Sequence, residues 1–282
     1  MRNLRRIAIY SLLFLFAILF IAPLYTMLLT SIKTLDDIRT GNLLSLPAEF
    51  TMEPWFKAWS EACVGVNCTG VRVFFFNSIK MAVPAVLIST IIGSLNGYAL
   101  THWKFRGSNL LFGLMMVACF LPFQMTILPM AQLLGKIGLA NTTTGLIFVH
   151  VVYGLAFTTL FFRNYYVTVP AELIKAAKMD GAGFFDIFFR ILLPLSKPIF
   201  AVSIIWQFTQ IWNDFLFGIV FSSGSAQPIT VALNNIVNTS TGVKEYNVHM
   251  ATAFFAAFPT MLVYFFGGKY FVRGLMSGAV KG

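Results

Sequence analysis

Residues 169–183 read Val169-Pro170-Ala171-Glu172-Leu173-Ile174-Lys175-Ala176-Ala177-Lys178-Met179-Asp180-Gly181-Ala182-Gly183. Pro170 suits the first turn of a helix, where its missing N–H costs nothing. Glu172 sits near that N-terminus and complements the helix dipole. Gly181 and Gly183 end the helix and turn the chain. A second amphipathic piece follows at 184–193, with Asp186 and Arg190 at i,i+4. Pro194 and Pro198 then lead onward. The stretch predicts a helix–turn–helix. Its surroundings decide the fold, because apolar runs at 144–162 and 198–221 flank it, each about long enough to cross a bilayer.

The rest of the chain repeats that pattern. Of 282 residues, 58% are hydrophobic and 11% charged, against about 45–50% and about 25% in soluble domains. Apolar runs also occupy 7–32, 77–100, 110–134 and 250–271. The first is longer than a signal-peptide core, contains Pro23 and has no convincing cleavage site, so it reads as a retained helix. The fold class expected is all-α, an integral membrane protein with six transmembrane helices. The polar stretch 33–72 carries Trp55 and Trp59 at i,i+4, which predicts a short surface helix with both rings at headgroup level.

Orientation follows from the cations. With the N-terminus inside, the inner side holds 13 Lys and Arg: Arg2, Arg5, Arg6, Lys104, Arg106, Arg163, Lys175, Lys178, Arg190, Lys197, Lys269, Arg273 and Lys281. The outer side holds 7, spread over more loop residues. This bias predicts a multi-pass membrane protein with both termini in the cytoplasm. The net charge of +10 is therefore a topology signal facing lipid, and no nucleic-acid partner is expected. Cys63 and Cys68 fall outside, where a turn at Gly65 and Asn67 brings them within range of a local disulfide. Cys119 reads as a small buried apolar residue. The three His are scattered and read as interfacial or packed, so no metal site is expected.

Catalytic chemistry is missing from the sequence. It has no Gly-x4-Gly-Lys-Ser/Thr loop and no Ser, His and acid arrangement suggesting hydrolysis. The chain is read as non-catalytic, drawing energy from a gradient or a partner. Span five is the other informative segment. Ser203, Gln207, Gln210 and Asp214 fall at spacings of four, three and four, hence on one helical face, with Asn213 beside them. A charge such as Asp214 near a membrane centre costs about 2.5–3.5 kcal/mol on insertion scales. Such residues face a bundle interior or a watery cavity. Two readings stand: the wall of a solute path, or an interhelical hydrogen-bond network. Trp206 and Trp212 fit either stacking on a solute in that path or packing in the core or against lipid.

With these residues in place, a resemblance becomes specific. Glu172-x3-Ala176-Ala177-x2-Asp180-Gly181-Ala182, followed by Ile191-x-Leu193-Pro194-x3-Pro198, resembles the EAA loop of ABC importer permeases. Asn77-Ser78, Leu121-Pro122 to Pro129, Trp212-Asn213-Asp214-Phe215 and the tail Arg273-Gly274-Leu275 to Lys281-Gly282 resemble the carbohydrate-uptake branch. Within that branch the chain looks like the maltose-type second permease subunit, a type I ABC transmembrane domain. The organisation this implies, in the bacterial inner membrane, is a first helix and periplasmic loop at 1–71, a permease core at 72–271 with the EAA loop at 170–198, and a cytoplasmic tail at 272–282.

The resemblance implies a mechanism as well. The loop, with Glu172, Lys175, Ala176, Ala177, Asp180, Gly181, Ala182, Ile191 and Pro194, would dock into a cytoplasmic ATPase and couple ATP hydrolysis to alternating access. Its small residues would let that surface approach closely. Implied partners are a second permease subunit in a heterodimer, two copies of the ABC ATPase and a periplasmic sugar-binding protein. ATP and Mg would be bound by the ATPase, with no cofactor on this chain. Segment 222–249 would reach toward the binding protein or remain a solvated loop. The glycine-bearing tail is expected to be too flexible for a helix of its own. Lys175 departs from the family, which usually has Glu there. The alternative function is an ion-coupled secondary transporter with Asp214 as its intramembrane acid.

Overall fold

The computed structural model describes residues 2–65, 67–103, 105–238 and 243–279. Lys104, Lys281 and Gly282, used above for topology and resemblance, lie outside the described residues, as do the side chains of Arg2, Lys269 and Arg273. The chain divides into two compact units, 1–75 with 232–258, and 76–231 with 259–282.

In the first unit, α1 (Arg2–Ser31) is a 30-residue apolar helix with Pro23 inside. Its side chains are largely exposed until Leu29, Thr30 and Ser31. A helix of that length and surface needs an apolar solvent. The polar segment after it is ordered by its own groups. Thr34 caps α2 (Leu35–Thr40), its hydroxyl accepting from the Asp37 N–H. The fully buried Lys33 donates from Nζ to Asn42 O at 2.9 Å and Ser45 Oγ at 3.1 Å. Two acceptors offset part of the cost of burying the ammonium.

The Trp-bearing helix α3 (Glu53–Ser60) departs from expectation. Trp55 packs on Phe254 and Phe255 at 5.6 and 5.4 Å between ring centroids, and Trp59 on Phe255 and Phe75 at 5.0 and 5.5 Å. The i,i+4 spacing does put both rings on one side, but that side joins an aromatic core. A Trp gains more from ring contacts there than from a headgroup layer. Lys57 and Glu245 form a half-exposed ion pair at 2.6 Å. The hairpin β1 (Cys63–Val64) and β2 (Asn67–Cys68) pairs Cys63 with Cys68, and their sulfurs are bonded.

The second unit is built around α4 (Arg72–His102), α7 (Thr143–Tyr166) and α11 (Lys197–Asn213). Small residues bring the axes close. A Cβ on Gly93 would overlap Thr158, and one on Gly154 would overlap the Gln207 amide. Hydroxyls stitch the same seam, with Thr158 Oγ1 donating to Ser89 O at 3.0 Å and Ser94 Oγ hydrogen-bonded to Tyr166 Oη at 2.8 Å. Close backbones and short polar side chains are what hold helices together where water is scarce.

Two expected spans are broken. The run at 110–134 forms α5 (Ser108–Phe120), a 3-10 turn at Phe123–Thr126 and α6 (Ile127–Lys136), bent by 103°. Pro122 is the cause, since the residue before a proline avoids the helical region and Leu121 is extended at φ −67°, ψ 131°. The run at 198–221 ends its helix at Asn213, and α12 (Leu216–Phe221) starts anew.

Between α7 and α11 lie α8 (Ala171–Met179), α9 (Phe184–Ile187), a wide π turn at Phe188–Leu192 and α10 (Leu193–Leu195). Segment 222–249 contains α13 (Ile229–Asn238), and α14 (Tyr246–Ala279) carries Pro259 inside. The tail through Ala279 therefore belongs to a helix, contrary to expectation, because it continues an already nucleated one and only elongation is needed. Cys119 is half-buried rather than buried. Among the described residues, four unbroken helices are long and apolar enough to cross a membrane; two bent pairs, α5 with Phe123–Lys136 and Phe184–Leu195 with α11 (80°), bring the number to six if each is one span.

Candidate functional site

The hairpin α8–α10 has a back and a front. Its back is a core of Ile174, Ile187, Phe188 and Leu192 against Tyr98, Phe162 and Tyr166 from α4 and α7. Tyr98 lies 4.6 Å from Phe184 and 5.9 Å from Phe188, centroid to centroid. Trp103 Nε1 donates to the Tyr98 hydroxyl, and Lys178 Nζ lies 4.0 Å over the Trp103 ring. These contacts seat the hairpin on the ends of the two long helices.

Local chemistry shapes the turn. α8 ends in a Schellman motif, with Ala182 N–H donating to Ala177 O at 2.9 Å and Gly181 N–H to Lys178 O at 3.1 Å. Gly181 takes φ +84°, a region glycine enters without strain. Further on, Pro194 has no N–H and its ring crowds the preceding turn, so the helix widens there. Leu193 N–H then reaches back to Phe188 O.

The structure splits the loop residues. Glu172, Lys175, Ala176, Asp180, Gly181 and Pro194 are exposed. Ala177 and Ala182 turn toward the protein's own core, and Ile191 is half-buried. The front also carries Leu173, Met179, Phe185 and Phe189, all exposed and none singled out in the sequence. Their signal was present, since they fall out of phase with Ile174, Ile187 and Phe188. Asp186 and Arg190 pair at 3.4 Å on this front.

The polar face of α11 is split too. Ser203 and Gln207 are buried, while Gln210 and Asn213 are exposed. Gln207 Nε2 donates to Ser89 Oγ at 3.0 Å. Trp206 packs on Phe157 and Phe161 at 4.9 and 5.3 Å, and Trp212 is buried. Asp214 lies past the end of α11. Its carboxylate accepts from Phe217 N–H at 3.3 Å and Gly218 N–H at 3.1 Å, so it caps the restart of the chain into α12. Its carbonyl accepts from Thr230 Oγ1 at 2.7 Å.

Sequence reasoning missed His150, which is buried on α7 with Nε2 3.8 Å from Asp214 Oδ2. No spacing rule links the two, because they meet only through tertiary packing. The start of α13 is held similarly. Ser78 Oγ accepts from Ile229 N–H at 2.9 Å, and Asn77 Nδ2 donates to Gln227 O at 3.2 Å. Among the described residues, no group of three or more His, Cys, Asp or Glu is placed to hold a metal ion.

Known proteins resemble this chain in sequence and in fold. The family model described as "Binding-protein-dependent transport system inner membrane component" matches residues 75–275. The chain is 34% identical to the xylose/arabinose import permease protein XacI of Haloferax volcanii, over 98% of this chain and 94% of that protein. It is 38% identical to a probable ABC transporter permease protein of Pyrococcus horikoshii, over 98% of each. It is 30% identical to the arabinooligosaccharides transport system permease protein AraQ of Bacillus subtilis, over 98% of this chain and 96% of that one. In fold it is similar to a chain in the crystal structure of a bacterial ABC transporter involved in alginate import, with a TM-score of 0.83 at 21% identity over 95% of this chain and 97% of that chain. With its hairpin seated on two long apolar helices, the chain belongs to the family of binding-protein-dependent transport system inner membrane components.

Proposed function

We propose that this chain is the permease subunit of an ATP-driven sugar importer. It would form half of the translocation path and link a partner ATPase to alternating access. The observation that carries this reading is the hairpin. Its back is fixed to α4 and α7 by an aromatic core, while Met179, Phe185 and Phe189 stand exposed on its front. A rigid lever with an apolar, partly charged face suits docking to a cytoplasmic protein. In this reading Glu172, Lys175, Ala176, Asp180 and Gly181 meet the ATPase. Ala177, Ala182, Ile191 and Pro194 keep the lever in shape. The named relatives supply the substrate class, since two of them are permeases for pentoses or pentose oligosaccharides by their descriptions.

The proposed assembly has one different permease, two ATPase copies and a soluble sugar-binding protein. Another structure of similar fold, of a bacterial alginate ABC transporter, is in complex with alginate pentasaccharide-bound periplasmic protein, which motivates that last partner. We count six spans with both termini inside, taking α5 and α6 together as one span and the run from α11 into α12 as another. Archaeal relatives leave the source open, so the membrane is proposed only as the plasma membrane. The ion-coupled alternative loses its motive, because the Asp214 carboxylate is engaged by two backbone N–H groups.

Native mass spectrometry tests the assembly. The complex, purified through a tag on this chain, should show this subunit, one different permease and two ATPase copies. A lone chain or a homodimer with no ATPase after cross-linking would reject the proposal.

A further inference from the structure

The ends of α4 and α7, the start of α5 and the first residues of the hairpin line an open cleft of about 450 Å³, away from the hairpin's exposed front. Its polar lining is Thr101, His102, Asn109, Arg163 and Thr168, with no carboxylate among the lining residues. Arg163 is half-buried, and its guanidinium lies 3.7 Å over the Phe112 ring of α5. Its side chain has no ion-pair or hydrogen-bond partner among the described residues. Lys178 adds a second cation beside the rim, its Nζ donating to His102 O at 3.5 Å.

A guanidinium carries five donors in a planar fork, shaped for the oxygens of a phosphate or carboxylate. Here the ring of Phe112 holds one face of that fork and fixes its direction. The neighbouring surface narrows the ligand class. Leu110, Leu111, Leu114 and Val117 of the same α5 are all exposed and apolar. A cationic cleft that opens onto an apolar helix matches a molecule with an anionic head and hydrocarbon tails. We infer that this cleft binds the phosphate headgroup of an anionic phospholipid, with the acyl chains lying along α5. Free phosphate shares the head chemistry but makes no use of that apolar wall. The inference needs only that α4, α5 and α7 lie in a membrane, and it stands apart from the importer proposal.

The test uses the tagged full-length chain in whatever assembly it purifies with, stripped of lipid by detergent exchange. Phosphatidylglycerol, phosphatidylcholine of the same acyl chains, and inorganic phosphate are added in turn and followed by native mass spectrometry. Phosphatidylglycerol adducts should bind more tightly than phosphatidylcholine adducts. Arg163→Gln should weaken the phosphatidylglycerol adduct about tenfold, the loss typical of a charge-assisted hydrogen-bond pair. Asn109→Asp places a carboxylate in the cleft, where it competes with the lipid phosphate for Arg163, and should weaken the adduct also. It keeps the test alive if Arg163→Gln does not fold. Equal binding of the two lipids would overturn the inference. So would displacement of the lipid by millimolar inorganic phosphate, or adducts unchanged in both variants. A cross-link from Asn109→Cys to another subunit would mean that a protein fills the cleft, and would overturn it too.

Discussion

The hairpin at α8–α10 was predicted from its proline, glycines and charged pair and the polar face of α11 from helical spacing, and they met different fates. In the hairpin, period and burial agree. Ile174 and Ala177 face in, while Lys175, Ala176 and Met179 face out. In α11, Ser203, Gln207 and Gln210 share one face by spacing, yet the first two are buried and the third is exposed. The difference is the neighbour. The hairpin is short, and its whole back rests on α4 and α7. The α11 stripe is longer than the surface that covers it. Gln207 is level with Gly154 and reaches Ser89, and past that level the stripe runs into the open. Periodicity identifies a face, and only packing decides how far along the helix that face is covered.

The comparison is sharpened most by removing the hairpin's anchor. Phe188 is buried between Tyr98 and Leu192, so Phe188→Ala should cost about 3–5 kcal/mol, the usual range for emptying a packed aromatic site. Limited proteolysis should then cut between α8 and α11 first. Uniform digestion at wild-type rate would mean the back of the hairpin is not its anchor. The covered half of the α11 stripe comes next. A Cβ at 154 meets the Gln207 amide, so Gly154→Val should destabilise by about 1–3 kcal/mol through overpacking. The thermal midpoint of the purified protein reads this, and an unchanged midpoint would refute close contact at that level.

The front of the hairpin gives the third prediction. Gly181 has open space around it, so Gly181→Asp fits sterically and adds a charge where docking is proposed. Transport should fall about tenfold, equivalent to 1.4 kcal/mol of lost contact at the interface. Gly181→Asn controls for the left-handed backbone, which Asn tolerates without bringing charge. Wild-type transport and ATP hydrolysis in Gly181→Asp would remove Gly181 from the docking face. If the Asn variant fell equally, backbone strain rather than charge would be responsible.

Much of this was legible in the sequence for identifiable reasons. The helix–turn–helix at 169–193 carries its own punctuation in Pro170, Gly181 and the i,i+4 pair, so local rules suffice. The apolar runs announce themselves by composition. The breaks were harder. Pro122 signals one, but a run of apolar residues on both sides masks it. The break at Asp214 has no proline or glycine, and it depends on Phe217 and Gly218 offering N–H groups to a carboxylate the sequence shows only as an intramembrane charge. The Trp55–Phe254 and His150–Asp214 meetings join residues far apart in the chain, and no local rule reaches them.

The smallest expected effect is the most discriminating. If the uncovered end of the α11 stripe borders the solute path, Gln210→Ala removes a hydrogen bond to substrate and little else. Gln210 is exposed, so the stability of the variant should stay within about 0.5 kcal/mol of wild type. Its apparent transport affinity should weaken by about 2- to 12-fold, the worth of one net hydrogen bond. Gln207→Ala should show the opposite pattern, because Gln207 bonds Ser89 inside the protein. It should lose about 1 kcal/mol of stability while apparent affinity holds. Asp214→Asn cannot serve this purpose, since it disturbs the cap on α12 whatever the path does. If Gln210→Ala transports like wild type, the exposed end of the stripe is not on the path, and the hydrogen-bond network is the only role left to this face.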